Sequence, residues 1–293
     1  MQNLPSPPVG EGQGVRGYGG LFEKGIAIKR HTTMSAKALI GGLRALLRRT
    51  GFDLVRYPPP AAQELPPDFD TQMTEIVRLV RPYTLTSPER IFALCSALRY
   101  LEHAGVPGDI VECGVWRGGS MMAAAYTLRK LGNECRRLLL FDTFEGMPPP
   151  DQRDVAYTGE TAAARLARSD RADPSSVWAY APLDDVQTNM ARTGYPAAQI
   201  AYVRGKVEQT LPASAPDQIA LLRLDTDWYE STRHELEHLF PRIAPGGVLI
   251  IDDYGHWSGA RQALDEYLES QGVRLLLNRI DYTGRIALIP PRG

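Results

Sequence analysis

The sequence predicts an α/β fold built on a mostly parallel sheet, and three observations carry that reading. From about residue 105 onward, short apolar runs alternate with helix-length amphipathic segments, the order that places parallel strands under crossover helices. Two of the runs, Ile219-Ala220-Leu221-Leu222 and Val248-Leu249-Ile250-Ile251, are apolar without alternation, as strands buried on both faces are. The chain then ends in two strand-like stretches, GVRLLLNRI and GRIALIP, joined by Asp281-Tyr282-Thr283-Gly284, a hairpin that adds one antiparallel strand.

Each element has its own justification. The first twenty residues hold six glycines and three prolines, and residues 1–33 as a whole offer too few apolar groups to pack; they are expected to be disordered or spurious upstream sequence. Within 34–68, Leu39, Ile40, Leu43, Leu46 and Leu47 fall at helical spacing, with Lys37, Arg44, Arg48 and Arg49 on other faces. This basic amphipathic helix suits packing on its own domain or a partner better than a membrane surface. A stiff linker follows, Tyr57-Pro58-Pro59-Pro60 and Leu65-Pro66-Pro67. The compact domain is expected over 69–293. It begins with a helix at 69–80 and a second helix to about Ala104, opened by Ser87 as N-cap and Pro88 at the first helical position. Strands are then expected at 109–113, 137–142, 199–203, 218–225 and 247–252, and helices at 118–131, 230–240 and 258–270, with polar helices between 159 and 194.

Composition excludes several classes. A net charge of −1 over 293 residues gives no field to gather nucleic acid or anionic lipid, so no nucleic-acid partner is expected. No apolar run reaches the roughly 20 residues of a membrane span, so no stable insertion is expected. Cys95, Cys113 and Cys135 form no CxxC pair and are odd in number, which suits a reducing, cytoplasmic setting.

Two constellations carry chemistry. The first strand ends in Glu112-Cys113-Gly114-Val115-Trp116-Arg117-Gly118-Gly119-Ser120 and runs straight into a helix, a turn that lets backbone approach a ligand. The second strand ends at Asp142, thirty positions after Glu112, where an acid can accept both hydroxyls of a ribose. An acid before the first glycine would repel a pyrophosphate but suits a cationic ligand, and S-adenosylmethionine carries a sulfonium and an ammonium. The second constellation is Asp225 and Asp227 in LLRLDTDWY with Asp252 and Asp253 in GGVLIIDDYGHW. Four carboxylates at neighbouring strand ends repel unless a cation sits among them or some are protonated. An all-oxygen set favours magnesium, calcium or manganese over zinc.

Other patterns are decoys. Tyr126 and Lys130 mimic a dehydrogenase pair but lie directly after the glycine loop; Gly119-Ser120 lacks the closing glycine of a nucleophile elbow; Gly205-Lys206-Val207 lacks the hydroxyl residue and upstream glycine of a phosphate loop. His234 and His238 share a helix face without an accompanying acid motif and read as surface groups. Trp228, Tyr229 and Trp257 read equally well as walls for a sugar or as core aromatics.

With these residues in place, the chain resembles the macrocin O-methyltransferase (TylF-type) family of magnesium-dependent sugar O-methyltransferases. The likeness runs from about Ile76 to Leu288 and rests on VECGVWRGGS at 111–120, FDTFEGMP at 141–148, NMARTGYP at 189–196, GKVEQTLP at 205–212, LDTDWYEST at 224–232 and DDYGHWSGAR at 252–261. The resemblance implies a class I methyltransferase, Rossmann-like sheet, and a glycosylated small-molecule acceptor. It implies that Glu112, Cys113, Gly114, Val115 and Trp116, with Asp142, Thr143, Phe144, Glu145 and Gly146, surround S-adenosylmethionine, and that Thr84 and Leu85 close over it. It further implies Asp225, Asp252 and Asp253 as metal ligands, Asp227 as general base, and a homo-oligomer. Leu85 departs from the methionine common at that place, which weakens the cap contact. His256 is the second candidate base, since neutral imidazole has a well-matched pKa. Two rival readings remain: a metal-dependent glycosyltransferase using Asp225-Thr226-Asp227 as a D-x-D motif, and a non-catalytic binding protein on a methyltransferase scaffold.

Overall fold

The computed structural model describes residues 44–51, 65–173 and 176–290. The chain divides into a segment up to Ala62 and a compact unit from Gln63 to Gly293. In the first, residues 44–49 are helical, which covers the end of the amphipathic helix expected at 35–49. The expected disorder at 1–33 and most of the proline linker lie outside the described residues.

The compact unit opens with α1 (Thr71–Val80), whose first turn is capped by Asp70 accepting from Met73 N at 2.7 Å. Helix α2 (Pro88–His103) starts where Ser87 Oγ accepts from Arg90 N and proline occupies the first position, as the sequence signals. Then follow β1 (Asp109–Cys113), α3 (Gly119–Lys130), β2 (Leu138–Asp142), α4 (Ala162–Arg168), α5 (Leu183–Ala191) and β3 (Ile200–Arg204). A single turn α6 (Val207–Thr210), β4 (Ile219–Leu224), α7 (Tyr229–Leu239), β5 (Ile243–Ile251), α8 (Ser258–Ser270), β6 (Asn278–Arg279) and β7 (Arg285–Leu288) complete it.

The strands form one seven-stranded sheet in the order β3-β2-β1-β4-β5-β7-β6. The first five are parallel and β7 is antiparallel to β5, so the sheet is mostly parallel with one reversed strand, as expected. Two expectations shift. Strand β5 begins at Ile243, ahead of the Pro245-Gly246-Gly247 stretch that looks like a turn; Ile219 pairs with Ile243 and Leu221 with Val248, so the extra β5 residues bulge out of the ladder. The first hairpin arm pairs only at Asn278 and Arg279, because Leu275 and Leu277 turn toward the core instead of joining β7.

Alternation along the strands divides the core. Ile110, Leu138, Leu140, Leu221, Val248 and Ile250 face one side with α1, α2, α3 and α5. Val111, Cys113, Leu139, Phe141, Leu222, Leu224, Leu249 and Ile251 face the other, against α6, α7 and α8. Because every parallel strand runs the same way, all carboxyl ends lie along one edge, where ligands of open α/β sheets bind.

Candidate active site

Backbone bonds continue past the strands and tie their tips together: Gly114 N to Phe141 O, Asp225 N to Cys113 O, and Asp252 N to Leu224 O, at 2.8–2.9 Å. A cavity of about 430 Å³ opens at these tips. Its wall on the β1 side is the glycine loop. Gly114 has φ +84°, and a Cβ there would sit 2.0 Å from Asp225 O, so glycine is needed for the close approach of β1 to β4 as well as for the turn. Asp142 organises the same loop: Oδ2 accepts from Val115 N at 2.6 Å and Trp116 N at 3.1 Å, and Oδ1 accepts from Phe144 N at 2.7 Å. Thr143 Oγ1 also lies 3.4 Å from Oδ1, but its hydroxyl donates at 2.8 Å to Gly146 O, so Oδ1 keeps capacity for a ligand hydroxyl.

Of the residues expected around the donor, Thr84, Leu85, Gly114, Val115, Trp116, Asp142, Thr143 and Gly146 line the cavity. Four do not. Cys113 points to the opposite face of the sheet and is fully buried among α6–α8 contacts, the consequence of strand alternation. Phe144 packs into the core, and Glu145 turns out to pair with Arg204 at 2.7 Å. Glu112 is 1% exposed and bound to Arg223, not to the cavity.

Arg223 is the residue that a reading of the apolar runs misses. It stands in β4 between Leu222 and Leu224, with its side chain 4% exposed, and its guanidinium reaches Glu112 Oε1 at 2.6 Å, Asp225 Oδ2 at 2.7 Å and Asp252 Oδ1 at 2.5 Å. Arg90, at the start of α2, takes the other oxygen of Asp252 and also reaches Asp281 Oδ2 at 3.0 Å. Asp281 in turn accepts from Ser87 Oγ at 2.7 Å. A chain of charges thus runs from β1 through β4 and β5 to α2 and the C-terminal hairpin. The signal was available: a cation inside an apolar strand needs buried acids beside it.

The four tip aspartates therefore separate. Burial would raise Asp252, but Arg223 and Arg90 outweigh it and hold the carboxyl below its usual range. Burial pushes Asp225 well up despite Arg223. Asp253 is also raised by burial, then by repulsion from Asp227, and its Oδ2 is buried with no hydrogen-bond partner. Burial lifts Asp227 to about 7. The group that the geometry brings together is Asp225, Asp227 and Asp253, with one oxygen from each lying within 4.8 Å of the others. Ligands trans to one another are about 4 Å apart on magnesium and about 5 Å on calcium, so this all-oxygen trio, including an orphaned buried oxygen, fits a hard divalent cation. Asp252, expected among the ligands, has both oxygens on arginines instead. Asp227 also sits at φ +66°, with Trp228 N bonded to Thr226 O at 2.7 Å. That is the strained, positive-φ form of γ-turn, which persists where surrounding structure enforces it.

His256 lies on the cavity wall but is poorly placed as a base. Arg165 Nη1 lies 2.9 Å from Nε2, and a guanidinium can only donate, so Nε2 is the acceptor and Nδ1–H points to Tyr282 Oη at 3.2 Å. Its one lone pair is taken. Burial and the nearby Arg165 lower its pKa further. Trp228 and Tyr229 are core groups: Trp228 Nε1 donates to Pro148 O at 3.0 Å, and Tyr229 Oη reaches Glu266 at 2.6 Å. Trp257, 3% exposed, belongs to the same core and also reaches the cavity wall. The decoys are structural at Tyr126, whose hydroxyl meets Arg192 O, and Lys130, which pairs with Glu75. Gly205-Lys206 is not wholly so, since both line the cavity.

A profile of the macrocin-O-methyltransferase (TylF) family matches residues 70–286, almost the whole compact unit. The chain belongs to that family. This TylF-type protein is an O-methyltransferase with a class I, Rossmann-like fold. It is 36% identical over 202 residues to the 8-demethyl-8-(2,3-dimethoxy-alpha-L-rhamnosyl)-tetracenomycin-C 4'-O-methyltransferase of Streptomyces olivaceus, covering 69% of this chain and 74% of the relative. It is 32% identical over 203 residues to the mycinamicin III 3''-O-methyltransferase of Micromonospora griseorubida, covering 69% and 76%. Among solved structures, the O-methyltransferase NovP superposes with a TM-score of 0.62 at 26% identity, covering 87% of this chain and 99% of NovP. The calicheamicin methyltransferase CalS11 shares the fold, with a TM-score of 0.51 at 19% identity, covering 79% of this TylF-type chain and 99% of its own. Among the described residues no helix is long and apolar enough to cross a membrane.

Proposed function

We propose that this enzyme methylates a hydroxyl of a sugar carried by a natural product, using S-adenosylmethionine and a divalent cation, magnesium by preference. One observation carries the reading: the cavity formed by the glycine loop and Asp142 is continuous with the Asp225, Asp227 and Asp253 cluster. A donor site and an acidic hydroxyl-activating site therefore share one space. The relatives' names, which specify sugar positions on tetracenomycin and mycinamicin, supply the acceptor class.

S-adenosylmethionine supplies a methyl group on a positively charged sulfur. A bound divalent cation supplies a Lewis acid that lowers the pKa of a neighbouring alcohol. The chain does the rest. Val115 and Trp116, fixed by Asp142, shape the donor's seat, and Thr84 and Leu85 flank it. Asp225 and Asp253 are the ligands we assign, with Asp227 beside them to accept the hydroxyl proton on a carboxylate oxygen as the methyl transfers in line. Arg223 keeps Asp225 aimed, and Arg90 with Arg223 keeps Asp252 charged at the back of the site.

A D-x-D glycosyltransferase reading loses ground here, since the second aspartate pair and the glycine loop belong to one cavity. The test uses labelled S-adenosylmethionine with a panel of glycosylated natural products, analysed by mass spectrometry. Methylated sugar, abolished by exhaustive chelation and restored by magnesium, supports the proposal. Methylation on an aglycone atom overturns the acceptor assignment, and full activity after chelation overturns the cation. Free Cys95, Cys113 and Cys135 fit the cytoplasm, and the homo-oligomer implied by family likeness is checked by light scattering.

A further inference from the structure

At the mouth of the cavity two tyrosines stand exposed where no packing demands them. Tyr157 is 69% and Tyr282 57% exposed, their rings 6.0 Å apart. Both meet the ring of His256 edge-on, at 5.4 and 6.0 Å, and His256 and Tyr282 line the cavity itself. A lone exposed aromatic needs no explanation, but a cluster at a pocket rim does. The rim is also held rigidly from two ends of the chain. Tyr157 N donates to His256 O at 2.8 Å, and Ala156 bridges to Trp257. On the other side the hairpin presses against the Asp253–His256 turn so closely that a Cβ on Gly255 would lie 2.1 Å from Tyr282 O. Gly255 N donates to Thr283 O at 2.9 Å, and Thr283 Oγ1 to Asp252 O at 2.8 Å. The backbone that carries both rings is thereby tied to the strand end that carries the acidic cluster.

Building on the sugar-methylation reading, we propose that Tyr157 and Tyr282 form the docking platform for a flat, aromatic aglycone that carries the sugar into the cluster. The two exposed rings, inclined at 64° beside a polar cavity, offer a flat ring one face to stack on and one edge to meet, the offset and edge-on arrangements that aromatic pairs favour. Arg165 adds a planar cation next to His256, and among the described residues no carboxylate pairs with it. Its remaining donors suit a phenol or carbonyl oxygen on such a ring. A nucleoside diphosphate sugar would stack as well, but its two phosphates call for paired cations at the rim, where Arg165 is the one bonded to the ring cluster among the described residues and Arg90 is already taken by Asp252 and Asp281. The observations therefore favour the uncharged aromatic glycoside.

The test measures, by calorimetry on the full chain loaded with S-adenosylhomocysteine and magnesium, the affinity for 2-naphthyl and methyl α-L-rhamnoside. The expected result is a naphthyl preference of about tenfold, falling roughly threefold to tenfold in Tyr282→Ala or Tyr157→Ala and retained in Tyr282→Phe, which keeps the ring and loses only the bond to His256. Unchanged S-adenosylhomocysteine affinity shows that each variant is folded. Equal binding of both rhamnosides, or a preference that survives both alanine variants, overturns the platform while leaving sugar methylation intact. Failure of both rhamnosides to bind counts against the sugar reading itself. Tighter binding of a TDP-linked rhamnose, lost in Arg165→Ala, overturns the aglycone in favour of a nucleotide.

Discussion

Arg223 offers the sharpest test of how the site is held. Replacing it with methionine keeps a comparable apolar stem but removes the cation shared by Glu112, Asp225 and Asp252, whose side chains are 1%, 28% and 3% exposed. Asp252 retains Arg90, and Asp225 retains some solvent, so the cost falls mainly on Glu112, whose other oxygen is already buried without a partner. At pH 8, above the value of about 7 to which burial lifts Glu112, the carboxyl is mostly ionised, and removing its partner costs up to about 3–5 kcal/mol because the remaining charge is stranded. For a domain of this size each kcal/mol lowers Tm by about 2–4 °C, so the variant should melt roughly 6–20 °C lower. Urea unfolding should give the same loss as a shift in midpoint at constant slope. Adding Glu112→Gln should recover a large part of it, since a neutral amide strands no charge. Should Arg223→Met unfold within about 1 kcal/mol of the parent, or should the second substitution recover nothing, the charge chain is not what secures the strand tips.

The remaining expectations concern turnover, backbone and pH. Asp227→Asn should lower kcat by about 10²–10⁴ while S-adenosylhomocysteine binds as before, measured by single-turnover kinetics and calorimetry; near-parental kcat moves the proton acceptor elsewhere. Gly114→Ala should reduce both Tm and donor affinity, because its methyl meets Asp225 O at 2.0 Å and φ is +84°; a stable variant with normal affinity would mean that β1 and β4 separate easily. Burial lifts Glu112 to about 7, since a single guanidinium divided among three carboxylates cannot hold it ionised. A carboxyl raised above its unfolded value of about 4.3 contributes stability that is full below that value and lost as pH rises through 7. Glu112→Gln should therefore flatten the fall in urea midpoint between pH 4.5 and 7.5 in chelator, and an unchanged slope would refute the shift.

Much of the fold is legible because its cues are local. Ser87-Pro88 starts α2 where capping chemistry requires, and the strands expected at 109–113, 137–142 and 218–225 fall within a residue of the observed β1, β2 and β4. What is not legible depends on pairing between distant segments. Pro245-Gly246-Gly247 is a turn signal in isolation, yet β4 supplies a partner on both sides of it, and the strand passes through as a bulge. Likewise GVRLLLNRI has the composition of a strand, but its leucines find more burial against α8 and its neighbours than a ladder at the sheet edge would give, and Leu276 is left 78% exposed.

The site shows the same division, and Asp252-Asp253 shows why. Read as letters, the two acids are equivalent, and both look like ligands. A strand, however, turns consecutive side chains to opposite faces. Ile250 faces α1–α3 and Ile251 faces α7 and α8, so Asp252 continues on the side of Glu112 and Arg223, while Asp253 falls to the side of Asp227. The same rule puts Arg223 and Asp225, two apart, on one side, where they bond at 2.7 Å. One acid of the pair thus anchors the arginines that tie α2 and the hairpin to the sheet, and the other, with a buried oxygen left unbonded, is free to take a cation. The doubling of aspartate serves two jobs at one strand end because the backbone there can present one side chain to each.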